Sequence, residues 1–276
     1  MSIILGFLAG VGLPIQTSVN TRLRKKVGSP YNASLVSFVV ALLFLSALLL
    51  ITGQGLHIPL AQLLNEPAWI WIGGICGLVF LTGNILLFSK LGGVQTVVLP
   101  VLGQILMGLI IDNFGLFYSQ KTPLSVFRIA GAVMVILGVV LVSMAKENKT
   151  ASEKLQKSES TTLWIWRAFG IFAGMLSATQ IAVNGYLGKV VGSPIKASAI
   201  SFTVGIIFLA IICIVLHFKN GKSESFKNES AKNPWWMWIG GILGELYILA
   251  NVYLSRIVGT GMTVIILLIG STTGGI

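Results

Sequence analysis

The chain has 276 residues, of which 55% are hydrophobic and only 10% charged, whereas a soluble domain carries about 25% charged residues. So little polar surface excludes a water-soluble globule and makes lipid the solvent for most of the chain. The net charge of +11 does not point to nucleic acid, because the basic residues fall in short loops between apolar runs, where they meet anionic headgroups and set orientation.

A hydrocarbon core about 30 Å thick takes about 20 apolar residues as a helix. Nine such helices are predicted, over residues 3–23, 33–53, 68–88, 94–116, 125–145, 163–185, 197–217, 236–256 and 262–276. Polar and apolar residues do not alternate, which excludes a membrane β-barrel; the fold class is an all-α polytopic membrane protein. The first run is read as a spanning helix rather than a cleaved signal. The polar stretch 146–162, KENKTASEKLQKSESTT, is expected to be a solvated linker between a first unit, 1–145, and a second, 163–276. A second polar stretch, 218–233, joins helices seven and eight. Trp69 and Trp71, Trp164 and Trp166, and Trp235, Trp236 and Trp238 each stand at the start of an apolar run, where indole rings favour the headgroup interface. Cys76 and Cys213 lie inside apolar runs and are read as small hydrophobes, not as a disulfide.

The two units are copies. Residues 6–50 align without a gap with 170–214, and 71–109 with 238–276, at offsets of 164 and 167; 19 of 45 and 13 of 39 pairs are identical, enough to read a duplication. Copy one holds five helices, an odd number, so copy two must enter the membrane in the opposite sense. Basic residues test this: 14 lie on the side reached after helix one and 5 on the other, accounting for all 19. The positive-inside rule then puts the N-terminus outside and the 146–162 linker in the cytoplasm. Inverted repeats give outward-open and inward-open states of similar energy around a site at the repeat interface, which is a transporter signature.

The five-plus-five arrangement resembles the drug/metabolite transporter superfamily. Gln16-x3-Asn20 in helix one, GSP before helix two, WIGG opening helix three and GQILMGLIIDNFG in helix four resemble its YdcZ-type branch, which contains single five-helix proteins, oppositely oriented pairs and fused forms. The resemblance implies a fused form acting as a transporter or exporter in the bacterial inner membrane, with homo- or hetero-dimers compatible with the branch. Ile276 aligns with Leu109, so copy two is expected to stop inside its fourth helix, with the counterpart of helix five missing.

Polar groups in lipid are costly and therefore informative. At 100° per residue, Gly6, Gly10, Gln16 and Asn20 fall within about 120° of one face of helix one, and Gly170, Gly174, Gln180 and Asn184 repeat that face in helix six. Asn84 and Asn251 correspond in helices three and eight, sharing faces with Gly73 and Gly77, and with Gly240 and Gly244. Two readings stand side by side: close helix packing with interhelical hydrogen bonds, or lining of a substrate path. Pro14 is expected to open a backbone carbonyl to that path, without an equivalent at Ala178. Asp112, near the end of helix four, is expected to be solvated. Glu245 lies about nine residues into helix eight, ~14 Å from its start, near the midplane, opposite Leu78 in copy one and without a cationic partner in sequence. It is the candidate proton-coupling or cation-binding group, against a structural role as a neutral hydrogen-bonded side chain.

Nothing in the sequence reads as catalytic. His57 and His217 stand at loop or helix ends without companions at metal-ligand spacing, and no phosphate loop, HExxH or GxSxG occurs; no metal or cofactor is expected. The leading expectation is a secondary transporter or facilitator of small metabolites or drug-like solutes, with membrane lipid as its surroundings. The alternative is a non-transporting scaffold or hetero-oligomer subunit. A cavity surrounded by Gln16, Asn20, Asn84, Gln180, Asn184 and Asn251 favours the first, a fully packed bundle the second.

Overall fold

The computed structural model describes residues 2–58, 60–147, 156–220 and 234–274. The long helices are α1 (Ser2–Val27), α2 (Pro30–Ile51), α4 (Ile72–Phe114), α5 (Val126–Glu147), α6 (Gln156–Val190), α7 (Pro194–Asn220) and α8 (Gly240–Gly274), with a four-residue α3 (Leu60–Leu63) in the loop after α2. Among the described residues there is no strand, and five stretches are long and apolar enough to cross a membrane. The chain is an all-α, multi-pass membrane protein.

The boundaries differ from expectation in three places. Predicted helices three and four are the two arms of α4, which meet at Gly92, where φ 76° and ψ 176° break the helix. Only glycine reaches that conformation without strain, so one residue replaces a loop. Predicted helices eight and nine are likewise joined in α8. The expected linker is helical at both flanks, since α5 runs to Glu147 and α6 begins at Gln156; residues 148–155 and 221–233 lie outside the described residues.

The GSP motif is a turn. Gly28 (φ 78°) ends α1, Ser29 Oγ accepts from the Tyr31 N–H at 3.3 Å, and Pro30 supplies the first turn of α2. Gly192 (φ 69°), Ser193 and Pro194 do the same between α6 and α7, with the Lys196 N–H donating to Ser193 Oγ at 3.2 Å.

The helices interlock across the copies. Gly73 and Gly77 of the first α4 arm lie against Asn184 and Gln180 of α6, and Gly170 of α6 touches both Leu87 and Leu99. Farther along, Gly103 lies on the Ile171 carbonyl and Ile111 packs with Ala178 and Ala182. The first arm thus runs antiparallel to α6 and the second parallel to it, so α4 is a hairpin gripping α6. The same contacts recur with the copies exchanged: Gly240 on Asn20, Gly244 on Gln16, Gly6 on Leu254 and Ile266, and Gly270 on the Phe7 carbonyl. Each partner sits at the offset of 164 or 167 seen in the sequence, so a pseudo-two-fold axis relates the two interlocks. Phe38 and Phe202, equivalent residues of α2 and α7, meet with ring centroids 4.6 Å apart.

Without a hydrophobic drive between helices in lipid, small residues and close backbone approach carry the association. A Cβ on Gly174 would collide with the Pro100 carbonyl, and one on Gly10 with the Leu267 carbonyl; these seats admit only glycine. Large apolar side chains face outward instead, as with Phe127 at 90% exposure on α5 and Trp235 at 77% before α8.

Candidate functional site

A cavity of about 30 Å³ lies where the two interlocks meet. Ten of its fourteen lining residues come in equivalent pairs: Gln16 and Gln180, Phe38 and Phe202, Gly77 and Gly244, Phe80 and Tyr247, Leu81 and Ile248. It therefore straddles the pseudo-two-fold axis, and its volume suits about one or two water molecules.

Of the polar residues singled out from sequence, the structure brings Gln16 and Gln180 to this cavity. They enter it from the helix grooves opened by Gly244 and Gly77, so packing and lining are one arrangement. Asn20 and Asn184 sit one turn away, buried against Gly240 and Gly73. Asn20 Oδ1 accepts from Ser37 Oγ at 2.7 Å, whereas neither amide atom of Asn184 is hydrogen-bonded. Asn84 is buried away from the cavity, and Asn251 Nδ2 donates to the Tyr247 carbonyl of its own helix at 2.9 Å. These four do not line the cavity.

Glu245 is fully buried in the first arm of α8 and does not line the cavity either. Its carboxyl faces the Ser198 hydroxyl of α7, but neither of its oxygens reaches hydrogen-bond geometry with a partner. Its counterpart Leu78 faces the corresponding region of copy one, where Ser34 instead accepts from Thr82 Oγ1 at 2.8 Å.

Two expectations are corrected. Asp112 is not a solvated helix end: it is 2% exposed and accepts from Arg128 of α5 at 2.9 Å. The Thr122 N–H also returns to the Asp112 carbonyl at 2.7 Å, so the end of α4 is tied to the start of α5. Pro14 does not open onto the central cavity; it lines a separate recess of about 360 Å³ with Phe88, Trp236 and Gly274. His57 and His217 are exposed, and among the described residues no cluster could hold a metal.

Sequence reasoning missed the most connected polar groups. Tyr247 donates to Gln104 Oε1 at 3.1 Å, and Gln104 Nε2 donates to Ser177 Oγ at 3.1 Å. This chain joins α8, α4 and α6 across the two interlocks, and all three side chains are buried. A signal was available: Gln104 stands inside the apolar run of α4. In the repeat alignment Gln104 pairs with Ser271, not with a second glutamine.

Helical interlock, membrane-length helices and a cavity on a pseudo-two-fold axis define a polytopic membrane protein with duplicated architecture. The family model described as "Putative inner membrane exporter, YdcZ" matches residues 1–141 and 165–276, and the chain belongs to this family. The match breaks at the junction between the copies. The chain is also similar to a protein named "Inner membrane protein YdcZ" of Escherichia coli (strain K12), 29% identical over 149 residues, which are 51% of this chain and 95% of that protein. That relative is thus close to one repeat in length. No solved structure matches the chain. The family is described as an exporter, not as an enzyme.

Proposed function

We propose that the chain is a secondary transporter or facilitator that exports small metabolites or drug-like solutes across the bacterial cytoplasmic membrane by alternating access. The observation that carries this reading is the central cavity lined by equivalent residues from both copies, with Gln16 and Gln180 on opposite walls. A site on the axis between inverted repeats can be opened to either side by motions of similar energy. The family description supports export. The cross-copy packing supports two rocking bodies, α1 with α8 and α6 with α4, rather than copy one against copy two. The charge bias supports an external N-terminus and a cytoplasmic 146–162 linker. Glu245 is the candidate proton carrier of the cycle, and a carboxyl without a hydrogen bond at 0% exposure supports a role other than packing.

Access to the cavity tests the proposal. In a chain with Cys76 and Cys213 replaced by Ala, Leu81→Cys is expected to react with impermeant thiol reagents from either face of the membrane. Protection from both faces would instead favour a permanently closed bundle, the scaffold reading.

A further inference from the structure

The groove between α6 and the first arm of α4 leads from the central cavity toward the membrane face that the charge bias makes external. Gly77 on Gln180 marks its cavity end, and one turn farther out Gly73 lies on Asn184. The groove then ends in aromatic rings. Trp69, in the turn before α4, meets Tyr186 of α6 with ring centroids 5.2 Å apart, Phe117 at 5.3 Å and Tyr118 at 5.7 Å. Tyr118 also meets Tyr186, at 4.9 Å. Phe117 packs in addition with Ile111, Ala178 and Ala182, so it is wedged between α6 and the second arm of α4. Glu66 accepts from the Tyr186 hydroxyl at 2.6 Å, which fixes that ring as part of the seat.

The turn that carries Phe117 and Tyr118 is strained. Both have left-handed backbone, with φ 57° and 53°. Their Cβ atoms disfavour it, and it persists where surrounding contacts impose it. The base of the turn is pinned: Ser119 Oγ donates to the Ile111 carbonyl at 3.3 Å, and the Leu124 N–H donates to Asn113 Oδ1 at 3.1 Å. The strain therefore sits at the tip, where the ring contacts offset it. Tyr118 is 62% exposed, so its seat is shallow and easily left.

Resting on the transport reading, we propose that this turn is the outer gate, with Phe117 and Tyr118 closing the groove over Asn184 and Gln180. The turn relaxes to an unstrained backbone when the two rings leave Trp69 and Tyr186. Strain in the closed form brings closed and open forms closer in energy, which a gate requires. At the other end of the pseudo-two-fold the positions of Trp69 and Tyr186 are held by Trp236 and Arg22, so this aromatic seat belongs to one face of the membrane.

The test labels Leu81→Cys in the full chain, with Cys76 and Cys213 replaced by Ala. An impermeant thiol reagent is applied to intact cells for the outer face and to inside-out vesicles for the cytoplasmic face. Phe117→Ala removes the wedge and is expected to raise the outer rate at least about tenfold relative to the cytoplasmic rate. Trp69→Ala, which removes the seat, is expected to do the same. Phe117→Leu keeps an apolar wedge and is expected to stay near the parental ratio. Phe127→Ala removes a ring at 90% exposure on α5 and is expected to change neither rate. An unchanged ratio in Phe117→Ala and Trp69→Ala overturns the gate. An equal rise at both faces marks loosened packing and overturns it too, as does a rise at the cytoplasmic face alone or an equal rise in Phe127→Ala. Labelling of the parent from both faces with an unchanged ratio in the variants leaves transport standing without this gate. Protection from both faces in parent and variants alike removes both.

Discussion

In copy one, Ser37 donates to Asn20 at 2.7 Å; in copy two, Ser201 and Asn184 hold the same positions without forming a bond. The glycine seats beneath them, Gly240 and Gly73, are the same in both. The two interlocks therefore share their backbone geometry and differ in their polar chemistry. Contact between helix backbones constrains both copies equally, because a hairpin can grip a helix only where side chains are absent. Polar groups facing a single shared cavity are needed once. Copy two was thus free to place Tyr247 where copy one has Phe80.

The largest expected effect is on the shared geometry. Gly174→Val and Gly10→Val are each expected to cost about 3 kcal/mol or more, the upper end of overpacking, because the new atoms meet backbone carbonyls that cannot move aside. Gly12→Ala, with open space around its Cα, is expected to be neutral or stabilising by up to about 1 kcal/mol. Thermal unfolding in detergent measures both. Equal tolerance at the three positions would break the account of the interlocks as glycine-dependent.

Next comes the tie between Asp112 and Arg128 at the end of α4. Asp112→Asn is expected to cost about 2 kcal/mol, less than a fully buried pair, since Arg128 is 22% exposed. An unchanged midpoint would show that the α4–α5 junction does not depend on the ion pair.

Glu245 separates structural from coupling roles. Glu245→Leu, the copy-one residue, is expected to leave the fold intact or stabilise it by about 1 kcal/mol, since it removes an unsatisfied buried carboxyl. Glu245→Gln is expected to fold normally and to lose flux driven by an imposed pH gradient in proteoliposomes. Gradient-driven flux equal to that of the parent chain would withdraw Glu245 from coupling.

The smallest effect sharpens the opening contrast. Ser37→Ala is expected to cost about 1 kcal/mol through the lost bond to Asn20, and Ser201→Ala close to nothing. Similar costs at both would mean that the copies are chemically more alike than their hydrogen bonds indicate.

Composition and hydropathy by themselves determined the membrane setting, because a chain with 10% charged residues has no other solvent. Self-comparison determined the duplication, because helix packing through glycines preserves Gly73/Gly240, Gly77/Gly244 and Gly10/Gly174 at constant offsets. The odd helix count and the charge bias determined the expected orientation. Tertiary structure alone decided which copy each first helix grips: periodicity identifies the small-residue face of α1 but not whether it packs on α4 or α8. It alone placed Gln16 and Gln180 in the cavity and Asn84 and Asn251 outside it, because residues one turn apart on a helix diverge once a neighbour covers one of them. It also revealed Asp112 as buried and Gln104 as the centre of the polar chain. Whether a polar side chain near a helix end or inside an apolar run meets a partner depends on residues 16 to 143 positions away, which no local pattern records.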